Sequence, residues 1–218
     1  MSNHHPHAQH AHGSHADPDP GPTAQIEIER KYLLTAAPDL TQLPPGHVFS
    51  TYTITQGYVN AETASPALTP HFAELLACPA PSASATAPDA AATSAKWIRI
   101  RSIEQDRQPP RCIITYKTGS GAARLEREQP ISQERFAILW PGTAGKRLRK
   151  RRYRALSESD RSRGINWVID DFLDRSLVLL EVELTSLDTT YNFPDWLAPH
   201  VDREVTDEAS YTNLSLAR

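Results

Sequence analysis

Strict alternation of charged and apolar residues marks the stretch Ile26-Glu27-Ile28-Glu29-Arg30-Lys31-Tyr32-Leu33. A period of two is typical of a β-strand, whose side chains point to opposite faces in turn. Glu27, Glu29 and Lys31 then share one face, and the apolar residues share the other. The charged face either points to water, as on most surface strands, or lines a polar cavity inside a closed sheet.

Length and composition favour one domain with a mainly β fold. The 218 residues allow a sizeable core, and 18 prolines with little helix-like periodicity favour an all-β or α+β architecture. A formal charge of -3 gives no global basic field of the kind that attracts nucleic acid. The sequence shows neither a membrane-length apolar run nor a signal-peptide pattern. Because Cys78 and Cys112 form no metal-type spacing and no disulfide framework, we expect a cytoplasmic protein.

Two segments differ in composition from the rest of the chain. Residues 1–23 are rich in His, Pro, Gly and Asp, which predicts a disordered tail whose histidines bind transition metals only loosely. Residues from about 61 to 95 are rich in Ala, Ser, Pro and Thr. This composition predicts a low-complexity, mostly unstructured insertion with one helical turn at residues 71–76. The domain itself is then expected to span residues 24–218.

Strand signals recur along the chain. They lie at residues 25–34, 51–59, 96–103, 111–117, 123–130, 147–156, 165–172 and 177–185. A short helix fits residues 132–139 with Ser132 as N-cap, and a second helix fits residues 206–216. Eight antiparallel strands close into a barrel just wide enough for a small ligand. We therefore predict a mainly β (α+β) fold: an eight-stranded antiparallel β-barrel with a few short helices, including a C-terminal helix.

Nearly every predicted strand repeats the separation of a charged face from an apolar face. The acidic members are Glu27, Glu29, Glu126, Glu128, Asp170, Glu181 and Glu183. The basic members are Lys31, Arg99, Arg101, Lys117, Arg124, Lys150 and Arg152. If these faces point outward, the barrel has an ordinary core and a densely charged exterior. If they point inward, the cost of burying them implies a divalent metal on the carboxylates and a polyanion on the basic groups.

The ordered set of motifs resembles the CYTH domain, a family also called the triphosphate tunnel metalloenzymes. Residues 27–31 resemble its ExExK signature, which is a weak signal alone. Further motifs follow in the family's order: Gln56-Gly57-Tyr58, Arg99-Ile100-Arg101, Thr115-Tyr116-Lys117, Glu126-Arg127-Glu128, Lys150-Arg151-Arg152-Tyr153, Trp167-Val168-Ile169-Asp170, Glu181-Val182-Glu183, Glu204-Val205-Thr206 and Tyr211-Thr212-Asn213. The resemblance covers residues 27–217 and leaves out the tail and the insertion.

This resemblance implies a tunnel with inward charged faces that binds a small triphosphate and needs Mg²⁺ or Mn²⁺. Phosphate oxygens would bind the basic residues named above. The metal would bind Glu27, Glu29, Glu181 and Glu183. Glu126, Glu128 and Asp170 would bind a second metal or a water, or would simply pair with basic neighbours. The C-terminal helix would close one end of the tunnel or merely cap the barrel, with Tyr211 or Asn213 turned toward the cavity.

The function implied by the resemblance is hydrolysis of inorganic triphosphate to pyrophosphate and phosphate. Adenylate cyclisation and thiamine triphosphate hydrolysis, activities of other family members, are alternatives, and a non-catalytic polyphosphate-binding module is the alternative of another class. Two groups are candidates for the general base. One is a metal-site glutamate such as Glu29, and the other is Tyr58, made acidic by a cation such as Lys150. A plain packing role for Tyr58 is an equal alternative.

An arginine-rich run at residues 146–154 is, out of context, typical of a nucleic-acid patch. On a strand, half of these side chains point outward, so a surface patch of modest anion affinity is the alternative reading. We expect a small triphosphate as the partner, with no membrane and no nucleic acid. A homodimer is left open.

Overall fold

The computed structural model describes residues 19–81 and 96–218, so the predictions for residues 1–18 and 82–95 lie outside the described residues. The strands are β1 Thr23–Leu34, β2 His47–Asn60, β3 Trp97–Glu104, β4 Arg111–Thr118, β5 Ala123–Ile131, β6 Arg147–Ser157, β7 Ile165–Phe172, β8 Val178–Leu184 and β9 Val201–Glu204. The α-helices are α1 Ala73–Ala77, α2 Gln133–Leu139, α3 Glu158–Ser162 and α4 Asn213–Leu216. In these two ranges no helix has the length and apolarity needed to cross a membrane.

The sheet closes on itself through β1. Its strands follow the order β5-β4-β3-β2-β6-β7-β8-β1, and β1 pairs again with β5. The first half of β1 pairs with β5, whereas the second half pairs with β8 and places Glu29 opposite Glu183. The predicted eight-stranded antiparallel barrel is therefore confirmed. The sequence did not predict β9, which pairs with Tyr32, Leu33 and Leu34 of β1, whereas β5 pairs with β1 only as far as Ile28.

The apolar faces of the strands pack outside the barrel. One cluster joins β1, β7 and β8 to the segment 186–200, and Trp167 at its centre is buried. The Trp167 ring meets the Tyr191 ring edge-on, with 5.7 Å between centroids. Because the apolar residues of β1 belong to this outer layer, its charged residues point into the barrel. The alternative of an apolar interior with a charged exterior is wrong.

Residues 61–81 of the insertion are more ordered than their composition suggests. The predicted helical turn is present as a 3₁₀ turn at Thr69–Phe72 followed by α1. Phe72 and Leu75 are both 0% exposed and belong to a second outer cluster with Ile98 and Ile114. The few apolar residues of this stretch therefore cover the outer face of β3 and β4.

Helix α2 begins as predicted, with the Ser132 hydroxyl accepting a hydrogen bond from the Arg135 N–H at 3.1 Å. The same turn holds the start of the described chain. Asp19 accepts hydrogen bonds from the Ser132 N–H at 2.7 Å and from the Arg135 guanidinium at 3.0 Å. The disorder predicted for residues 1–23 therefore does not extend to residues 19–23.

The C-terminal helix is shorter than the predicted span of residues 206–216. Thr206 does not start it, because its hydroxyl accepts from the Lys31 N–H at 3.0 Å and donates to Glu204. Thr212 is the N-cap instead and accepts from the Ser215 N–H at 3.2 Å. Arg218 then exchanges two backbone hydrogen bonds with Arg147. Residues 213–218 thus lie against the start of β6.

Replacing Phe72 with alanine tests whether the insertion belongs to the core. Phe72→Ala should lower the free energy of unfolding by about 3–5 kcal/mol, because it leaves a cavity at a fully buried site. Phe49, which is 45% exposed, provides a matched control. Phe49→Ala should cost less than about 1 kcal/mol. Urea unfolding followed by tryptophan fluorescence measures both, and a Phe72→Ala protein as stable as the wild type would show that residues 61–81 lie outside the core.

Candidate functional site

The barrel encloses a cavity of about 860 Å³ lined mainly by residues of its strands. All but two of the predicted site residues line it. They are Glu27, Glu29, Lys31, Tyr58, Arg99, Arg101, Lys117, Arg124, Glu126, Glu128, Arg152, Glu181 and Glu183. The other two, Lys150 and Asp170, are fully buried in the same wall beside Arg152. The strand alternation therefore brings the whole predicted set into one place.

On the β1 side, cations of β4 and β5 hold the carboxylates of β1. Glu27 accepts hydrogen bonds from Lys117 and from Arg124, the latter at 3.1 Å. Arg124 also donates to Glu29. The Lys31 ammonium lies 3.7 Å from Glu29 and 3.4 Å from an oxygen of Glu181. This network joins the two halves of β1 to the strands that close the barrel.

A second network joins β3 to β5. Arg101 donates to Glu128 at 2.6 Å, and Arg99 donates to Glu126 and Glu128 at 3.2 Å each. The Thr115 hydroxyl adds a bond of 3.0 Å to Glu128. The Nε atoms of Arg99 and Arg101 are buried and have no hydrogen-bond partner among the described residues. These guanidinium groups therefore keep donor capacity beyond their present ion pairs.

The third network is centred on Asp170, which is 0% exposed. Its two oxygens accept from Lys150 at 2.6 Å and from the Arg152 Nε at 2.7 Å. Arg152 also donates to Glu181 at 2.6 Å. Two cations thus engage the Asp170 carboxylate. Of the roles considered for Asp170, this geometry favours pairing with basic neighbours over metal binding.

Ion pairing favours the ionised form of five tunnel carboxyls. Burial alone would raise their pKa values, but neighbouring cations hold the pKa values of all five below the usual range. These are Glu27, Glu126, Glu128, Asp170 and Glu181. Burial lowers the pKa of Lys150 to about 8 despite the attraction of Asp170. Burial and the Arg99 charge lower the pKa of Arg101 to about 10. A bound anion would therefore favour the charged form of both cations.

Tyr58 lacks the environment that a phenolate requires. Burial raises its pKa to about 12, against the opposing effects of Arg99 and Arg101. The Gln56 amide donates to its hydroxyl oxygen at 2.9 Å. The hydrogen-bond partners of Lys150 in the described ranges are Asp170 and Asn213. The structure therefore favours a packing role for Tyr58 over a role as general base.

Two residues that line the cavity were not among the predicted site residues. Arg154 lines the cavity and donates to Glu183 at 3.1 Å. It follows Lys150 and Arg152 at the same period of two, a signal that could have identified it. Asn213 lines the cavity from α4 and accepts from Lys150 at 3.1 Å. The sequence suggested that Asn213 faces the cavity but gave no signal for the lysine contact.

Apolar residues close the end of the cavity near Tyr58. The barrel contributes Leu148, Phe172 and Leu179, which cluster with Val205 and Ala217 from the C-terminal segment. Leu214 of α4 packs against the same cluster and also lines the cavity. The C-terminal segment therefore lies over one end of the tunnel, whereas the resemblance had left closure of the tunnel and capping of the barrel as alternatives.

The acidic lining fits a hard divalent cation by its chemistry. Glu29 and Glu183 are cross-strand partners, and both line the cavity with Glu27 and Glu181. Carboxylate oxygens are the ligands that Mg²⁺ and Mn²⁺ prefer. Burial raises the pKa of Glu183 despite Arg154 and Arg152, with the Glu181 charge acting in the same direction as burial. The carboxylates are nevertheless bonded to cations, and no three acidic, His or Cys residues of the described ranges are grouped as a metal site.

Barrel and lining together define a tunnel protein for a small polyanion. No family model matches the chain. Over 109 residues it is 34% identical to the inorganic triphosphatase of Nitrosomonas europaea, which covers 48% of this chain and 67% of that protein. Over 104 residues it is 33% identical to the inorganic triphosphatase of Acetivibrio thermocellus, covering 46% and 61%. The crystal structure of the inorganic triphosphatase NE1496 is similar at a TM-score of 0.46 and 26% identity, covering 88% of this chain and 93% of that one.

The chain belongs to the CYTH family, the triphosphate tunnel metalloenzymes. The assignment rests on the sequence match to the Nitrosomonas protein, and it confirms the resemblance of the strand motifs.

Breaking the Asp170 network tests the pairing that holds the tunnel wall. Asp170→Asn should lower the free energy of unfolding at pH 7 by about 3–5 kcal/mol, because it leaves two buried cations short of a counter-charge. Asp171→Asn changes the next residue, which is only partly buried, and should cost less than about 1 kcal/mol. Urea unfolding curves measure both. Equal stability of the two variants would contradict the role of Asp170.

Proposed function

We propose that this protein hydrolyses inorganic triphosphate to pyrophosphate and phosphate. The observation that carries the proposal is the closed barrel whose interior presents Lys and Arg side chains from β1, β3, β4, β5 and β6. A linear triphosphate has several negative charges and needs cations on more than one side. The 34% identity to a protein named inorganic triphosphatase supports the same substrate.

Triphosphate would bind by exchanging ion-pair partners. Arg99, Arg101 and Arg124 each have an Nε that lacks a hydrogen-bond partner among the described residues. Their terminal nitrogens are bonded to carboxylates. Phosphate oxygens entering the cavity would accept hydrogen bonds from these Nε groups. They would also compete with the carboxylates for the terminal nitrogens. Charge-assisted hydrogen bonds of this kind are about twice as strong as neutral ones.

Hydrolysis follows from neutralising the chain of phosphates. The basic residues reduce the repulsion that the substrate exerts on an approaching water. The water oxygen then forms a bond to the terminal phosphorus in line with the bridging oxygen, whose bond to that phosphorus breaks. Pyrophosphate leaves with the bonding electrons, and the water proton passes to a base. Glu29, which lines the cavity, is our candidate base, since burial keeps Tyr58 protonated at neutral pH.

The requirement for Mg²⁺ or Mn²⁺ is part of the proposal. Glu29 and Glu183 are the residues that would hold the ion, with Glu27 and Glu181 beside them. The ion would supply charge neutralisation at phosphate oxygens. Arg124 of the neighbouring β5 holds Glu29 in position, and Arg154 of β6 reaches across β7 to hold Glu183. Glu126 and Glu128 are bonded to Arg99 and Arg101 and remain candidates for a second site.

We also infer a cytoplasmic location. Cys78 and Cys112 are free thiols in the structure, which suits a reducing compartment. The homodimer stays a prediction.

An assay of phosphate release tests the proposed function. The protein should release phosphate from inorganic triphosphate with Mg²⁺ or Mn²⁺, and a chelator should abolish the release because the carboxylates alone repel the substrate. ATP and thiamine triphosphate should react more slowly. Cyclic nucleotide formed from ATP in preference to triphosphate hydrolysis would contradict the proposal. Tight, salt-sensitive polyphosphate binding without phosphate release would instead identify a binding module.

Removing one tunnel cation tests the role of the basic lining. Arg101→Gln should lower kcat/KM for triphosphate about 100-fold, as loss of a preorganised donor in a buried site does. Its partner Glu128 keeps bonds from Arg99 and Thr115, so the fold should survive. Arg149→Gln, at an exposed position of β6, is the control and should leave kcat/KM within about twofold. Wild-type activity in Arg101→Gln would show that substrate binds elsewhere.

A further inference from the structure

Asn213 is a polar side chain at the covered end of the tunnel. It is the first residue of α4 and lines the cavity. Its Oδ1 lies 3.1 Å from the Nζ of Lys150. A lysine ammonium offers only donors, so the amide oxygen of Asn213 must face Lys150. This contact fixes which way the amide points, and its NH₂ group faces away from the lysine.

The amide NH₂ group of Asn213 is left with its donors free. In residues 19–81 and 96–218 the only hydrogen-bond contact of this side chain is the one to Lys150. The backbone around it is fixed, because Thr212 caps α4 and Arg218 pairs with Arg147. Ala217 is buried in the apolar cluster that covers the tunnel end. The Asn213 side chain therefore stays at the cavity wall with free donors.

We propose that Asn213 is a substrate-binding residue of the tunnel. Its amide N–H donates to a phosphoryl oxygen, while its amide oxygen accepts a hydrogen bond from the buried Lys150 ammonium, which orients the amide. The proposal rests on the proposed function. Because the C-terminal segment covers this end, the phosphate that meets Asn213 is the one that enters deepest. Asn213 thus recognises the end of a phosphate chain as a neutral donor, and the buried Lys150 behind it keeps the amide oriented.

The test replaces the donor while keeping the acceptor. Asn213→Asp retains an oxygen for Lys150 but turns a carboxylate oxygen toward the phosphate. Triphosphate should then bind at least about tenfold more weakly, since a charge-assisted hydrogen bond is lost and a repulsion is gained. Ser215→Asp places the same charge on the same helix at an exposed position, and its Kd should stay within about twofold. Calorimetric titration with inorganic triphosphate measures Kd for both variants.

Two results would overturn the inference in different ways. An active wild type with equal triphosphate affinity in Asn213→Asp and Ser215→Asp would remove Asn213 from the site and leave the proposed function intact. A wild type that neither binds nor hydrolyses triphosphate would overturn the proposed function and this inference with it. If Asn213→Asp does not fold, Asn213→Ala replaces it. That variant lacks the donor without adding charge and should raise KM about tenfold; an unchanged KM overturns the inference.

Discussion

Pairing of buried charges is the constraint on which the rest of the structure depends. A carboxylate or ammonium taken out of water loses several kcal/mol of solvation, and only close partners restore it. Asp170 is an example: it has no solvent exposure, and Lys150 and Arg152 pair with it at 2.6 and 2.7 Å. Removing either sign of charge from this interior would leave the other uncompensated. The tunnel therefore needs acidic and basic residues in near balance before any ligand binds.

A charged interior moves the hydrophobic core to the outside of the barrel. The outward side chains of the strands need covers, and the chain supplies them from segments that look like loops. Residues 186–200 cover β1, β7 and β8 around Trp167, and Phe72 with Leu75 covers β3 and β4. The connecting segments therefore form part of the hydrophobic core and contribute to the stability of the barrel. Their apolar side chains cover the apolar outer faces of the strands, which would otherwise be exposed to water. In a conventional barrel the apolar faces of the strands point into the interior instead.

The sequence predicted the strands and their faces, because period-two alternation is a local property. Alternation does not show which of the two faces points inward, however, and only the family resemblance indicated this for β1. The sequence could not predict which charges pair, because Glu27 and Lys117 are brought together by the register of strands that are far apart in the chain. For Tyr58 the sequence left a base and a packing role open; the structure favours packing because burial, which raises the pKa of Tyr58 to about 12, depends on the packed end of the barrel. Thr206 does not cap a helix because its hydroxyl oxygen already accepts a hydrogen bond from the Lys31 N–H.

The ion pairs of the tunnel also explain how a site for a highly charged ligand can exist without it. Each guanidinium is already oriented by a carboxylate, so a phosphate chain meets donors whose positions are set. Bonds from Arg101 to Glu128 and from Arg124 to Glu29 must loosen as phosphate oxygens arrive. Loss of these ion pairs would leave carboxylates without their counter-charge, and a divalent cation at Glu29 and Glu183, if it binds as proposed, would then supply it. Anion and cation should therefore bind cooperatively, each relieving the charge that the other exposes.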